Sequence, residues 1–101
     1  MSKGLTGREL EMISKNLKKF DEINQAVLFG SRALGKNKKA SDVDIALIGE
    51  NITEKTKFKV FDILNEELPL PYFFDIIIFS TIKNKKLKEN ILKQGIVIFK
   101  N

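Results

Sequence analysis

The sequence predicts an α+β fold, a sheet with helices packed against it. Three observations predict it. Apolar residues recur at helical spacing in three segments, four short runs rich in β-branched and aromatic residues fall between and after them, and Gly or Pro punctuates the joints. Thr6 followed by Glu9 fits a capping box, and Leu10, Ile13, Leu17 and Phe20 continue at helical spacing, so a first helix is expected over 7–20. The run 26–30 (AVLFG) reads as a buried strand ended by glycine. Residues 31–35 suit a single helical turn, residues 36–40 a loop, and residues 43–49 (VDIALIG) a second strand. Thr53 is placed to cap a helix over 54–68, with Phe58, Phe61, Leu64 and Leu68 along one stripe. Pro69 and Pro71 stop it before a third strand, 72–80, with Tyr72 expected to pack near the edge of the candidate site. Leu87 and Ile91 mark a lysine-rich helix that Gly95 is expected to end in a left-handed cap, and 96–100 (IVIFK) closes the chain as a strand.

Bulk properties narrow the chemistry. The chain has 101 residues and reads as one domain over 1–101, with 43% hydrophobic residues. No apolar stretch approaches the roughly 18 residues needed to cross a bilayer. Because the N-terminus lacks a secretion signal, a cytoplasmic location is expected. With neither cysteine nor histidine, thiolate metal sites, histidine acid–base chemistry and Ser-His-Asp triads are excluded. Catalysis would have to use carboxylates, lysines, hydroxyls or hard metal ions. The net charge of +5 favours anionic partners only weakly. Five lysines oppose Glu89 alone over 83–93, and a solvated helix face explains them better than nucleic-acid binding, which is not expected. The phenylalanines Phe58, Phe61, Phe73, Phe74 and Phe79 read as core rather than as stacking platforms.

The stretch 30–44, GSRALGKNKKASDVD, carries the chemistry. Alternation along a strand puts Asp42 and Asp44 on one face and Val43, Ile45 and Leu47 on the other. Paired acids suit magnesium, which takes one or two carboxylates plus phosphate oxygens and waters, although a short D-x-D is also an ordinary polar strand start. Asp75, inside FFDIII, raises the stakes: a carboxylate buried there without a partner costs several kcal/mol, roughly, whereas a solvent-facing one would need none. Three acids from two strands can clamp two metals about 4 Å apart. Gly30 lets the backbone approach a phosphate, and Ser31 with the free N–H groups of a following turn can bind its oxygens, helped by Arg32 or Lys36. A P-loop is rejected, because Asn37 stands where Ser or Thr should hold magnesium.

The form G-S-x10-D-x-D with a later strand aspartate resembles the minimal nucleotidyltransferases, small relatives of the DNA polymerase β-like superfamily. The likeness runs from the first helix to the closing KQGIVIFK. It implies a mixed sheet flanked by helices, and magnesium-dependent transfer of a nucleoside monophosphate to a hydroxyl with loss of pyrophosphate. Carried over by position, Gly30, Ser31 and Arg32 would bind the nucleotide, and Asp42, Asp44 and Asp75 would hold two Mg2+ ions and serve catalysis. Small members of the family resemble antitoxins paired with HEPN-domain ribonuclease toxins. The resemblance therefore implies AMP transfer from ATP to a tyrosine of such a partner, and the acceptor-binding wall is expected to come from another copy of the chain or from that partner. The alternatives are an antitoxin that acts by binding alone and a nucleotidyltransferase acting on a small molecule. The base preference is not readable from the sequence.

Overall fold

The computed structural model describes residues 5–30 and 42–101. The elements are α1 (Gly7–Leu17), β1 (Gln25–Phe29), β2 (Val43–Ile48), α2 (Glu54–Asp62), β3 (Phe74–Ile78), α3 (Lys85–Gln94) and β4 (Ile96–Lys100). A π turn over Ile63–Glu67 extends α2, and a 3-10 turn, Phe79–Thr81, follows β3. The strands form one mixed sheet in the order β3-β2-β1-β4. β1 pairs antiparallel with β2 and β4, while β2 and β3 run parallel, with α2 as their crossover. The expected turn at 31–35 and loop at 36–40 lie outside the described residues.

Local chemistry starts the helices where the sequence indicates. The Thr6 N–H donates to Glu9 Oε1 at 2.9 Å, and the Glu9 N–H donates back to Thr6 Oγ1 at 3.1 Å. Thr53 makes the same reciprocal pair with Thr56, whose hydroxyl also donates to Glu22 Oε2 at 2.7 Å and so ties α2 to the loop before β1. That bond, above all, holds the Glu22 carboxyl below its ordinary pKa. Alternation in β2 works as expected: Val43, Ile45 and Leu47 are fully buried against α1 and α2, together with Leu28, Phe74 and Ile76. Among the described residues, the opposite face is covered only in part. There α3 lays Ile91 and Leu87 over Val27 and Ala46 in a smaller cluster, with its lysines turned outward and Lys88 Nζ 5.2 Å from the Phe79 ring centre.

Three expectations are corrected. First, the helix expected over 54–68 keeps α geometry only to Asp62, and a π turn carries it on to Glu67. The π turn, closed by the Leu68 N–H to the Ile63 carbonyl at 2.9 Å, ends just before Pro69. Val60 and Leu64 face the sheet, so Phe58 points outward and is 65% exposed. Second, Phe73 is 51% exposed just outside β3, where it meets Phe61 edge to face at 5.7 Å. Third, Gly95 is extended (φ −70°, ψ 158°), not left-handed. A Cβ there would collide with the Ile91 carbonyl and with Val27, so glycine serves the close approach of α3 to β1. Tyr72 donates to Glu9 Oε1 at 2.9 Å and packs edge to face on Phe74, joining the core on the α1 side.

Asn65 sets the edge strand. Parallel pairing uses the Phe73 carbonyl for the Val43 N–H at 2.9 Å, so both main-chain groups of Phe74 point away from β2. The Asn65 amide meets both: its Oδ1 accepts from the Phe74 N–H at 2.7 Å and its Nδ2 donates to the Phe74 carbonyl at 3.0 Å. Asn65→Ala should leave these groups unpaired and lower unfolding stability by about 1–3 kcal/mol. Thermal and urea melts of the variant would check this.

Candidate functional site

Strand register assembles the candidate site at the end of the sheet where β1 finishes and β2 and β3 begin. Phe29 stands opposite Asp44, and Asp44 stands beside Asp75. Strands lie about 4.8 Å apart, and cross-strand partners share a face. The Asp44 and Asp75 side chains therefore emerge side by side on the face that α3 covers in part. Asp42 lies immediately before β2. Asp44 is half-buried, whereas Asp42 and Asp75 are exposed. The exposure of Asp75 removes the argument that a buried carboxylate needs a partner there. β3 is an edge strand, so a side chain inside its apolar run still reaches water. What ties Asp75 to the site is its pairing with Asp44.

The electrostatics report the same convergence. Burial pushes the Asp44 carboxyl above its ordinary pKa, and the negative charges of Asp75 and then Asp42 push it further. Among the described residues, no hydrogen-bond donor meets Asp44 to relieve this. Gly30 closes the site from the β1 side. Its φ is +79°, and an ideal Cβ there would lie 2.5 Å from Asp44 Oδ2. Only glycine permits both the backbone turn and the contact. Ser31 and Arg32, the other residues expected at the nucleotide, lie outside the described residues.

The donor set can be tested against a metal. Among the described residues, no three His, Cys, Asp or Glu side chains close into a metal-binding group. The half-buried Asp44, which no donor among the described residues meets, still fits, with Asp75 alongside, a hard cation that takes one or two carboxylates and completes its shell with phosphate oxygens and water. A cation would also relieve the repulsion that raises the Asp44 pKa.

Around this centre lie two grooves that the sequence reading missed. One, beside β3, is lined by Lys57, Phe58, Phe61, Asp62, Asp75 and Ile76. The other, about 170 Å³, lies between the end of β1 and α3. Asn65, which aligns Phe74 next to Asp75, was also missed. A polar amide near the end of a helix was its only sequence signal, and its partner lies on another element.

A family model described as Polymerase beta, Nucleotidyltransferase matches residues 11–101. No curated protein sequence matches the chain. Among solved structures, the fold is similar to a toxin–antitoxin complex with AMP-PNP, at TM-score 0.74 and 20% identity, covering 91% of this chain and 73% of that one. It is similar to an MntA–HepT toxin–antitoxin structure at TM-score 0.66 and 18% identity, covering 91% and 70%. A third similar structure is a tri-AMPylated Shewanella oneidensis HEPN toxin in complex with MNT antitoxin, at TM-score 0.60 and 15% identity, covering 91% and 73%. Among the described residues, no helix is long and apolar enough to cross a membrane.

Two outcomes follow from the geometry. In metal-free protein the raised Asp44 pKa favours the folded state while the group is protonated, and that contribution is lost as pH rises through the folded value. Asp44→Asn should therefore melt higher than the parent at neutral pH, with the gap shrinking as pH falls through the carboxylate range. Gly30→Ala should melt lower by roughly 1 kcal/mol or more, because a side chain is strained at this φ and meets Asp44.

Proposed function

The chain belongs to the polymerase β nucleotidyltransferase family, and on that premise we propose that it is a magnesium-dependent adenylyltransferase. It moves AMP from ATP to a protein hydroxyl, a tyrosine of a HEPN-type ribonuclease toxin, and so acts in the cytoplasm as that toxin's antitoxin. Residues 1–101 form the nucleotidyltransferase domain. The observation that carries the chemistry is the juxtaposition of the Gly30 backbone, the half-buried Asp44 and its register partner Asp75.

Each residue has a task. Gly30, with Ser31 and Arg32, holds the triphosphate and orients its leaving pyrophosphate. Asp42 and Asp44 would hold Mg2+ from the start of β2, and Asp75 would add a carboxylate from β3. When bound, the cation pair neutralises phosphate charge and acidifies the acceptor hydroxyl. Asp75, exposed to solvent, lies where an incoming hydroxyl can donate its proton to a carboxylate. The acceptor oxygen bonds to the α-phosphorus, the bond from that phosphorus to the bridging oxygen breaks, and pyrophosphate departs with the electron pair. Such transfer depends on positioning and charge rather than on a strong base, which suits a chain without histidine or cysteine.

The antitoxin role is supported by the solved structures with this fold, which include MNT antitoxins in complex with HEPN toxins, one of them AMPylated. The exposed Phe58 and Phe73 near Asp75 are surface that a protein acceptor can cover and a small molecule cannot. Incubation with α-labelled ATP, magnesium and a HEPN-type partner should label the partner on tyrosine. Asp42→Asn with Asp44→Asn should reduce labelling at least about a hundredfold, the scale of removing a preorganised electrostatic group, while the partner still co-purifies. If that double variant protects cells from the toxin as well as the parent does, neutralisation occurs by binding alone.

A further inference from the structure

We propose that Asn65 is a positioning residue for the metal site: through the main chain of Phe74 it holds Asp75 in register beside Asp44, where both carboxyls can serve one cation. This rests on the reading of Asp75 as a metal ligand and adds the residue that fixes its place. Asp75 is the second residue of β3, which lies at the edge of the sheet and follows a segment holding Pro69 and Pro71. Strand starts at an edge open readily, because only one neighbouring strand holds them. Opening there carries Asp75 away from Asp44.

The contacts at Phe74 prevent this. On the inner side the Val43 N–H donates to the Phe73 carbonyl at 2.9 Å. On the outer side Asn65 Oδ1 accepts from the Phe74 N–H at 2.7 Å, and Asn65 Nδ2 donates to the Phe74 carbonyl at 3.0 Å. A side-chain amide offers a donor and an acceptor together, as the backbone of a neighbouring strand does, whereas a carboxylate could hold the N–H alone. The Phe74 ring is completely buried as well. Alternation then turns the next side chain, Asp75, to the opposite face, beside its register partner Asp44.

The element that carries Asn65 is placed for this reach. Phe61, four positions earlier, lines the groove beside Asp75 and Ile76, so this side of α2 and its π turn runs along β3. Asn65 lies inside the π turn, Ile63–Glu67, a geometry that is rare and recurs at functional sites. Groups that orient metal ligands without touching the metal change affinity or activity roughly ten- to a hundredfold when removed. An amide with a structural role alone would cost stability and nothing more.

Titration calorimetry of the full chain with the Mn2+ complex of AMP-PNP reads the site without turnover. Asn65→Ala should weaken binding roughly tenfold or more. A core variant beneath the other end of the sheet, Ile13→Val or Ile13→Ala, whichever matches its loss of melting temperature, should bind as the parent does. In protein free of metal and nucleotide, amide hydrogen exchange at Phe74 and Asp75 should quicken in Asn65→Ala while exchange at Val27 and Leu28, in an inner strand, changes less. Unchanged affinity or unchanged exchange at Phe74 in Asn65→Ala, or an equal loss of affinity in the Ile13 control, would overturn the positioning role and leave the transfer chemistry standing. Asp75→Asn separates the two readings. If that variant binds the complex as the parent does, or if the parent does not bind it, the ligand assignment falls, and the positioning role with it.

Discussion

The register of β2 is the constraint on which the site depends. Val43, Ile45 and Leu47 are completely buried against α1 and α2, and a slip of one residue would drive Asp44 into that core. Burial of three apolar side chains thus fixes the direction of a carboxylate that touches none of them. With β2 held, Phe29 and Asp75 come to Asp44 from the strands on either side, one antiparallel and one parallel. No loop has to fold correctly for these two acids to meet.

The arrangement works against stability at one place. A half-buried carboxylate beside two others is unfavourable when charged, and a glycine with positive φ is pressed against it. Among the described residues no donor relieves that charge, so the surrounding core must be strong enough to hold it. Here the larger core lies beneath the opposite face of the sheet, and the Asn65 amide clamps the strand that carries Asp75.

The two faces of the sheet divide the labour. α1 and α2 cover one completely, whereas α3 covers only part of the other. Among the described residues, the part left uncovered is the end that bears Asp44 and Asp75, with a groove beside α3 on one side and exposed aromatic rings on the other.

What the sequence by itself determined are the features governed by a few adjacent residues. The Thr6 and Thr53 caps, the alternation of β2, the glycine at the end of β1 and the inward Leu87 and Ile91 all arise from spacing, because their hydrogen bonds and periodicities act within one or two turns. Tertiary structure alone decided the rest. Phe58 faces outward because α2 gives way to a π turn ahead of Pro69, with Val60 and Leu64 turned to the sheet. Asp75 reaches water because β3 became the edge. Gly95 is required by the nearness of Val27, a residue 68 positions away in the chain. Strand order and the incomplete cover of one face depend on which distant surfaces bury each other, and no local pattern encodes that choice.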